Sequence, residues 1–388
     1  MPSGCYRVVL TRSPNDNGLV HQELVDYDLP ESLGGWPRPP ENKLNALAKC
    51  AAPFSNLPND ADALLLAHWR SKGKWALGDV GTSGHPNNQG FDFFYGYLDQ
   101  GAAHDYYPEF LFRNDKAERL PGNVNSGKRN VSSKKVTYAH TRITEEALAF
   151  IKRNKAKPFY LNLTWTIPHT NNEAGRVEKN GQEVPDHGIY KDKDWPNPEK
   201  GFAAMVTLMD TDTGQILDLL KKLGIAKNTL VVFTSDNGPH QEGGHKVDFF
   251  DSNGKLRGHK RSLHDGGIRV PMIAWWPKTI KPGVSNHASA FWDWLPTACE
   301  LGGAETPEGI DGISFVPTLL GNTNKQVRHE YLFWRWNRFR AVRMNDWKGV
   351  QTDKTLALYD LSKDIGEETD VASDNPKIAA RIKHMGAG

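Results

Sequence analysis

Asp236 and Asn237 stand side by side directly after an apolar run, in the stretch "LVVFTSDNG". An adjacent carboxylate and carboxamide offer hard oxygens of low total charge, which suits Ca²⁺ or Mg²⁺. With Gly238 the same residues also make good turn chemistry, and on this motif alone the turn is the stronger reading. A second constellation is "LRGHKRSLHDGGIRVP", residues 256–271, which holds Arg257, His259, Lys260, Arg261, His264 and Arg269. A charge run is usually a solvated face. This one leads straight into an apolar strand, so its end is expected at the sheet edge that carries Asp236. Cations beside a metal site suit a tetrahedral oxyanion, phosphate or sulfate. His169, in "TIPHTNN", comes after another strand; its place supports a functional role as much as a structural one. Lys74, in "GKWALG", can reach an anion from among glycines, although most such lysines are merely exposed.

These residues need elements to hold them. Residues 138–154 show helical spacing of Ile143, Ala147, Phe150 and Ile151. "KPFYLNLTW" reads as a strand ending at Trp165. Residues 202–223 form an amphipathic helix with a stripe of Val206, Met209, Thr213, Ile216, Leu217 and Leu220, stopped by Gly224. The strand of "TLVVFTSDNG", Leu230 to Thr234, comes after it, and "GGIRVPMIAWWP" is the next. Alternating strands and helices with apolar strands argue an α/β fold, a mostly parallel sheet covered on both faces. In such sheets ligands bind at the carboxyl ends of strands. From about residue 323 the texture becomes a short antiparallel meander and a terminal helix. The division read here is a divergent segment at 1–72, a catalytic α/β domain at 73–322 and a C-terminal subdomain at 323–388. Residues 1–70 show no strong strand.

Composition narrows the classes. The chain has 388 residues and a net charge of +2, so no nucleic-acid partner is implied. Three widely spaced cysteines make neither a disulfide framework nor a zinc site. No run of 18 apolar residues marks a membrane span, and the first residues do not read as a signal peptide. Twelve tryptophans are many, and for most of them packing is the stronger reading. Asn130-Val-Ser is a candidate glycosylation sequon if the protein is secreted, whereas Asn162-Leu-Thr falls in a predicted buried strand.

The order of the motifs is more specific than any one of them. "GKWALG", "QGFDFFYGY", "HDYYP", "PHT", the helix and strand ending in "NTLVVFTSDNG", "LRGHKRSLHDGGIRVPMIAWWP" and "IDGISFVPTLLG" succeed one another as they do in sulfatases. From Gly73 to about residue 376 the chain resembles that family, in particular bacterial arylsulfatases and N-acetylgalactosamine-6-sulfatase-like enzymes. The resemblance implies an alkaline-phosphatase-like fold and hydrolysis of a sulfate ester in a small molecule or glycan, with one Ca²⁺ ion. It also implies a formylglycine made from Cys or Ser in a Cys/Ser-x-Pro-x-Arg motif. By motif, Asp236 and Asn237 match calcium ligands. Lys260 matches the lysine at the sulfate and leaving oxygen, His169 the histidine on the sulfate group, and Lys74 the lysine that orients nucleophile and ester. His104, in "AAHDYYP", is a further candidate cation near the substrate. Members of the family are often periplasmic, exported or lysosomal; the compartment and the oligomeric state of this chain are not legible.

The nucleophile motif occurs nowhere in the chain, and no apolar strand ending in Asp-Asp precedes Gly73. Asp236 and Asn237 alone give fewer oxygens than the six or more that Ca²⁺ takes. Turnover by this polypeptide is therefore in doubt, and loss of the first strand should leave sheet edges unpaired. The opening "MPSGCYR" suggests an N-terminally truncated or frame-shifted reading of a longer gene. Two other functions stay open: a phosphoester or phosphonate hydrolase of the same superfamily, and a non-catalytic binder of sulfated glycans.

Overall fold

A computed structural model describes residue 75, residues 77–352 and 355–386, and the backbone of two further strands. Those two are β1 (Tyr6–Arg12) and β2 (Leu64–Leu66). Next come β3 (Phe93–Gly96), β4 (Phe110–Arg113) and β5 (Lys116–Arg119). A separate hairpin is made by β6 (Val124–Lys128) and β7 (Val131–Lys134). The large sheet is completed by β8 (Phe159–Thr164), β9 (Thr229–Ser235) and β10 (Met272–Trp275). Its order is β10-β9-β1-β8-β2-β3-β4-β5. Pairing is parallel from β8 through β2 to β3, and antiparallel elsewhere. Strands β2, β3, β5, β8 and β9 thus share one direction and β1, β4 and β10 take the other.

Alternation along the strands divides the core into two layers. Leu161 and Leu163 of β8 and Val231 of β9 face one side. There they meet Ile143, Ala147 and Phe150 of α1 (Ala139–Arg153), behind which the chain continues through the short α2 (Asn172–Glu178). The same layer takes Met205, Met209, Ile216 and Leu220 of α3 (Asn197–Lys222). Tyr160, Leu230 and Val232 face the other side, on Ala298 and Leu319. Between β9 and β10 lies the one-turn α4 (Asp265–Ile268); Ala298 belongs to α5 (Trp294–Gly302) and Leu319 to α6 (Val316–Leu319). Strands covered on both faces are the α/β architecture the sequence predicts; the pairing is less parallel than expected, with two of seven neighbour pairs in the large sheet parallel, because β1, β4 and β10 run against the other strands.

The buried face of α3 is rotated from the predicted stripe. Met205 and Asp212 are buried, while Val206 and Thr213 are only partly covered. Asp212 can sit inside because His140 Nε2 lies 2.8 Å from its carboxylate and Thr144 donates to it at 3.0 Å. A buried polar group needs such partners, and apolar periodicity cannot see them.

The first strand is the larger departure. Residues 1–70 read as strand-poor, yet β1 lies between β8 and β9 and pairs with both, so the two apolar edges are not left open. "YRVVLTR" carries the β-branched run that such a slot selects. Further along, a second sheet holds β11 (Leu332–Trp336), β12 (Phe339–Met344), β13 (Trp347–Thr352) and β14 (Thr355–Asp360), all antiparallel. One face of this sheet packs Val342, Met344 and Leu358 against Ile382 of α7 (Pro376–Met385). The other packs Ala341, Val350 and Tyr359 against Leu263.

What brings the charged segments together is a seam of backbone. Gly238 donates to the Gly267 carbonyl at 2.9 Å, and Lys260 donates from its amide to the Pro239 carbonyl at 2.7 Å. Gly266 donates to Arg257 at 2.8 Å, closing the loop on itself. A Cβ on Gly238 would sit 1.8 Å from the Gly266 carbonyl oxygen, and one on Gly266 would sit 2.1 Å from that of Gly258. Gly238→Ala and Gly266→Ala are each expected to cost about 2 kcal/mol or more, because backbone must move to admit the methyl. Gly283→Ala, where nothing lies within 4 Å, should be near neutral. Urea unfolding midpoints of the three variants check this.

Candidate functional site

Strands β8 and β9 run the same way, so His169 and the Asp236-Asn237 pair lie past carboxyl ends on one edge of the sheet. The basic loop reaches that edge because β10 is antiparallel to β9: Met272, its first residue, pairs with Thr234 near the end of β9. The loop bends back through Gly258, at φ +81°, and lays Lys260 over the edge.

Lys260 is 4% exposed. Its ammonium donates to Nε2 of His169 at 2.9 Å and to Glu242 at 2.8 Å. On the other side of the His169 ring, Nδ1 lies 2.7 Å from the Thr170 carbonyl. A carbonyl only accepts and an ammonium only donates, so His169 here is a neutral ring with its proton on Nδ1. The Tyr106 hydroxyl donates to the His169 carbonyl and fixes that segment. His104 stacks on His169 with ring centroids 5.2 Å apart and an interplanar angle of 19°. Nδ1 of His104 lies 2.9 Å from Glu173, whose amide is capped by Asn171. Burial raises the Glu173 carboxyl, but the hydrogen bond and charge of His104 outweigh it and hold it below its ordinary value.

Glu242 bridges two cations, Lys260 and, at 2.5 Å, Arg261. Burial alone would push its carboxyl up; the charge and hydrogen bond of Lys260 and the charge of Arg261 win, and hold it well below the carboxylate range. His240 lies beneath, donating from Nε2 to the Pro168 carbonyl at 3.0 Å and accepting the Glu242 amide at Nδ1 at 3.2 Å. Burial, and then the charge of Lys260, push its pKa down to about 3. Glu242, His240 and Glu173 were not among the predicted site residues. Two of them stand in "GPHQEGG", directly after Asn237, and their nearness to a strand's carboxyl end was the available signal.

The structure brings His169, His104 and Lys260 into contact and ties the Asp236-Asn237 turn to the Lys260 loop through backbone. Lys74 lies outside the described residues, as do residues 1–5 of "MPSGCYR". Asn237 donates from its side-chain nitrogen to the Gly238 carbonyl at 2.9 Å, while its buried Oδ1 has no hydrogen-bond partner among the described residues. An orphaned carboxamide oxygen fits a cation ligand. The set is short all the same: among the described residues no three His, Cys, Asp or Glu side chains lie together as a metal site. Two donors do not by themselves make the six-oxygen shell of Ca²⁺.

Because His240 protonates near pH 6.5 when unfolded and only at about 3 when folded, it adds stability that is complete above pH 6.5 and lost as pH falls from there towards 3. The stability advantage of the protein over His240→Gln is therefore expected to shrink by on the order of 3 kcal/mol between about pH 7 and pH 4. Denaturant titrations of both proteins across that range measure it.

Comparison with known proteins identifies the family. A family model described as Sulfatase matches residues 64–304, and one described as N-sulphoglucosamine sulphohydrolase, C-terminal, matches residues 257–386. Mouse steryl-sulfatase is 36% identical over 215 residues, which cover 54% of this chain and 32% of that protein. Mouse N-acetylgalactosamine-6-sulfatase is 31% identical over 295 residues, covering 71% of this chain and 50% of that protein. The chain thus spans from about a third to half the length of these curated relatives. Among solved structures, Ps i-CgsB superposes with a TM-score of 0.69 at 26% identity, covering 86% of this chain and 72% of that one. Its complex with k-i-k-neocarrahexaose gives 0.66 at 25% identity, covering 84% and 70%.

Proposed function

The chain belongs to the sulfatase family, and on that premise we propose that the centre at Lys260 binds the sulfuryl group of a sulfate ester for hydrolysis to alcohol and sulfate. The observation that carries this is the buried ammonium of Lys260, held between His169 and Glu242 beside the Asp236-Asn237 turn. An ammonium kept in a low-dielectric pocket interacts strongly with an oxyanion and needs little reorganisation to do so. Lys260 donates to a sulfuryl oxygen and then to the leaving oxygen. His169, fixed by Thr170 and Tyr106, and His104, stacked upon it, set the wall against which the sulfuryl group rests. Arg261, half-exposed beyond Glu242, attracts the incoming anion. Lys74 is proposed as a further anion contact from its motif alone.

Sulfatases generally depend on a metal ion and a formylglycine. Asp236 and Asn237 are proposed as contributors to a calcium site that the described residues do not complete, so no step is derived through the metal. No Cys/Ser-x-Pro-x-Arg motif is present in the sequence, and no nucleophile is assigned. Sulfated glycans are favoured over sulfated sterols as the substrate class, since the match to N-acetylgalactosamine-6-sulfatase covers 71% of this chain against 54% for steryl-sulfatase, and a further similar protein was solved with a neocarrahexaose.

Calorimetric titration with 4-nitrophenyl sulfate, alongside release of 4-nitrophenol, tests the reading. The protein is expected to bind the ester, and Lys260→Ala to weaken binding at least tenfold, about 1.4 kcal/mol. Unchanged affinity in Lys260→Ala would sink the assignment. Binding with no release of 4-nitrophenol would favour the non-catalytic glycan binder, and faster release from 4-nitrophenyl phosphate the phosphoester hydrolase.

A further inference from the structure

Lys348, on β13, is fully buried. Its ammonium meets Asp265 at 2.5 Å and Glu367 at 3.0 Å. Glu367 is also fully buried, and its backbone is left-handed, at φ +53°. One of its carboxylate oxygens accepts the Asp265 amide at 2.6 Å; the other lies 3.1 Å from Nδ1 of His264. Its carbonyl accepts from Arg257 at 2.6 Å. Arg257 and the His264–Asp265 pair are the two shoulders of the loop that carries Lys260. The side chains of Lys348 and Glu367, on or just beyond the C-terminal sheet, therefore grip the second shoulder, and the Glu367 backbone holds the first.

Stability does not explain such a cluster. A buried ion pair costs so much desolvation that apolar residues of the same volume often do as well or better. Apolar contact between loop and sheet is in any case supplied by Leu263 against Ala341, Val350 and Tyr359. Hydrophobic contact is non-directional, however, and lets a loop slide. Charged hydrogen bonds at fixed atoms do not. The loop must hold one ammonium within 3 Å of both His169 and Glu242, with both distances set from the far side of the seam. The geometry points to Lys348 and Glu367 as positioning residues: if Lys260 is the sulfuryl contact, the reading on which this rests, the C-terminal sheet sets that lysine's place through them. A cleft of about 380 Å³ beside the loop, walled by residues 259–264 with Phe339, Val350 and Thr352, shows that the same sheet also lines the surroundings of Lys260.

Lys348→Met, Lys348→Arg and Glu367→Gln test this in the full chain, with Lys260→Ala as reference. Amide hydrogen exchange reads the loop directly, and titration with inorganic sulfate reads its consequence. In Lys348→Met and Glu367→Gln, exchange at residues 259–264 is expected to rise at least tenfold while β8 and β9 keep their protection, and sulfate affinity to fall at least tenfold. Lys348→Arg, which keeps a cation, should recover part of both. Unchanged exchange in the loop, or an equal rise across the whole protein, would overturn the positioning role, the second because it reports only lost stability. Glu367→Gln is isosteric and remains decisive should Lys348→Met fail to fold. If the unaltered protein and Lys260→Ala both ignore sulfate, the reading of Lys260 falls, while loop exchange still decides whether Lys348 and Glu367 hold it.

Discussion

The site depends on two peptide segments packed backbone to backbone. Residues 235–239 bring a carboxylate and a carboxamide; residues 257–267 bring a set of cations. Opposite charge alone would draw them together but fix no register. The seam fixes it, because the Gly238 amide reaches the Gly267 carbonyl only where neither residue has a side chain, and the Lys260 amide then meets Pro239. The punctuation of "DNG" and "DGG" is thus a steric requirement at these positions and not simply loop composition. Once the seam is closed, the side chains of Lys260 and Asn237 have little choice of side.

That seam creates an electrostatic problem that the neighbours resolve. An ammonium at the depth of Lys260 loses its hydration, and an unpaired charge there would be expelled or neutralised. Glu242 supplies the counter-charge and is itself kept ionised by Lys260 and Arg261. His169 and His240 contribute lone pairs and dipoles as neutral rings. Around Lys260 the centre therefore holds one ammonium, the Glu242 carboxylate and two neutral imidazoles, with the Asp236 carboxylate on the adjoining turn and the Arg261 cation at the more exposed rim. An arriving sulfate would meet a positive entrance and a polarised interior, the order in which steering and then binding are useful.

Much of the site is legible from residues alone. The strand ending before Asp236 is marked by an unbroken apolar run, and α1 by its 3.6-residue period; both stand where the pattern places them. His169 and Lys260 are marked by a neighbouring strand, upstream of the first and downstream of the second. Glu242 has only its nearness to the end of β9 as a signal, and Glu173 has less, because a carboxylate a few residues past a turn looks like solvated surface until a partner distant in sequence is known. Glu173 meets His104 across 69 residues, and Glu242 meets Lys260 across 18. Asp212 escapes for the same reason: its acceptor role toward His140 and Thr144 inverts the polarity that periodicity assumes. Lys348 reads as one more exposed strand lysine until Asp265 is found beside it, 83 residues away.

The direction of β1 bears on the metal question more than its presence does. Tyr6 pairs with Ser235, and Arg12 with Thr229 at the opposite end of β9. The edge where Asp236, His169 and Lys260 gather therefore receives the start of β1, and its C-terminal end is delivered to the far edge. In the sulfatase pattern two acidic residues come directly after the first strand and join the calcium shell. Here the first strand runs the other way, and its last residue, Arg12, lies at the edge opposite Asp236. The slot in the sheet is chosen by hydrogen bonds and side-chain volume, which an antiparallel segment satisfies as well as a parallel one. Metal ligation depends on polarity of the chain, which those forces do not select. Filling the centre of the sheet and furnishing the site are separate demands on a sequence, and the pairing of "YRVVLTR" answers the first.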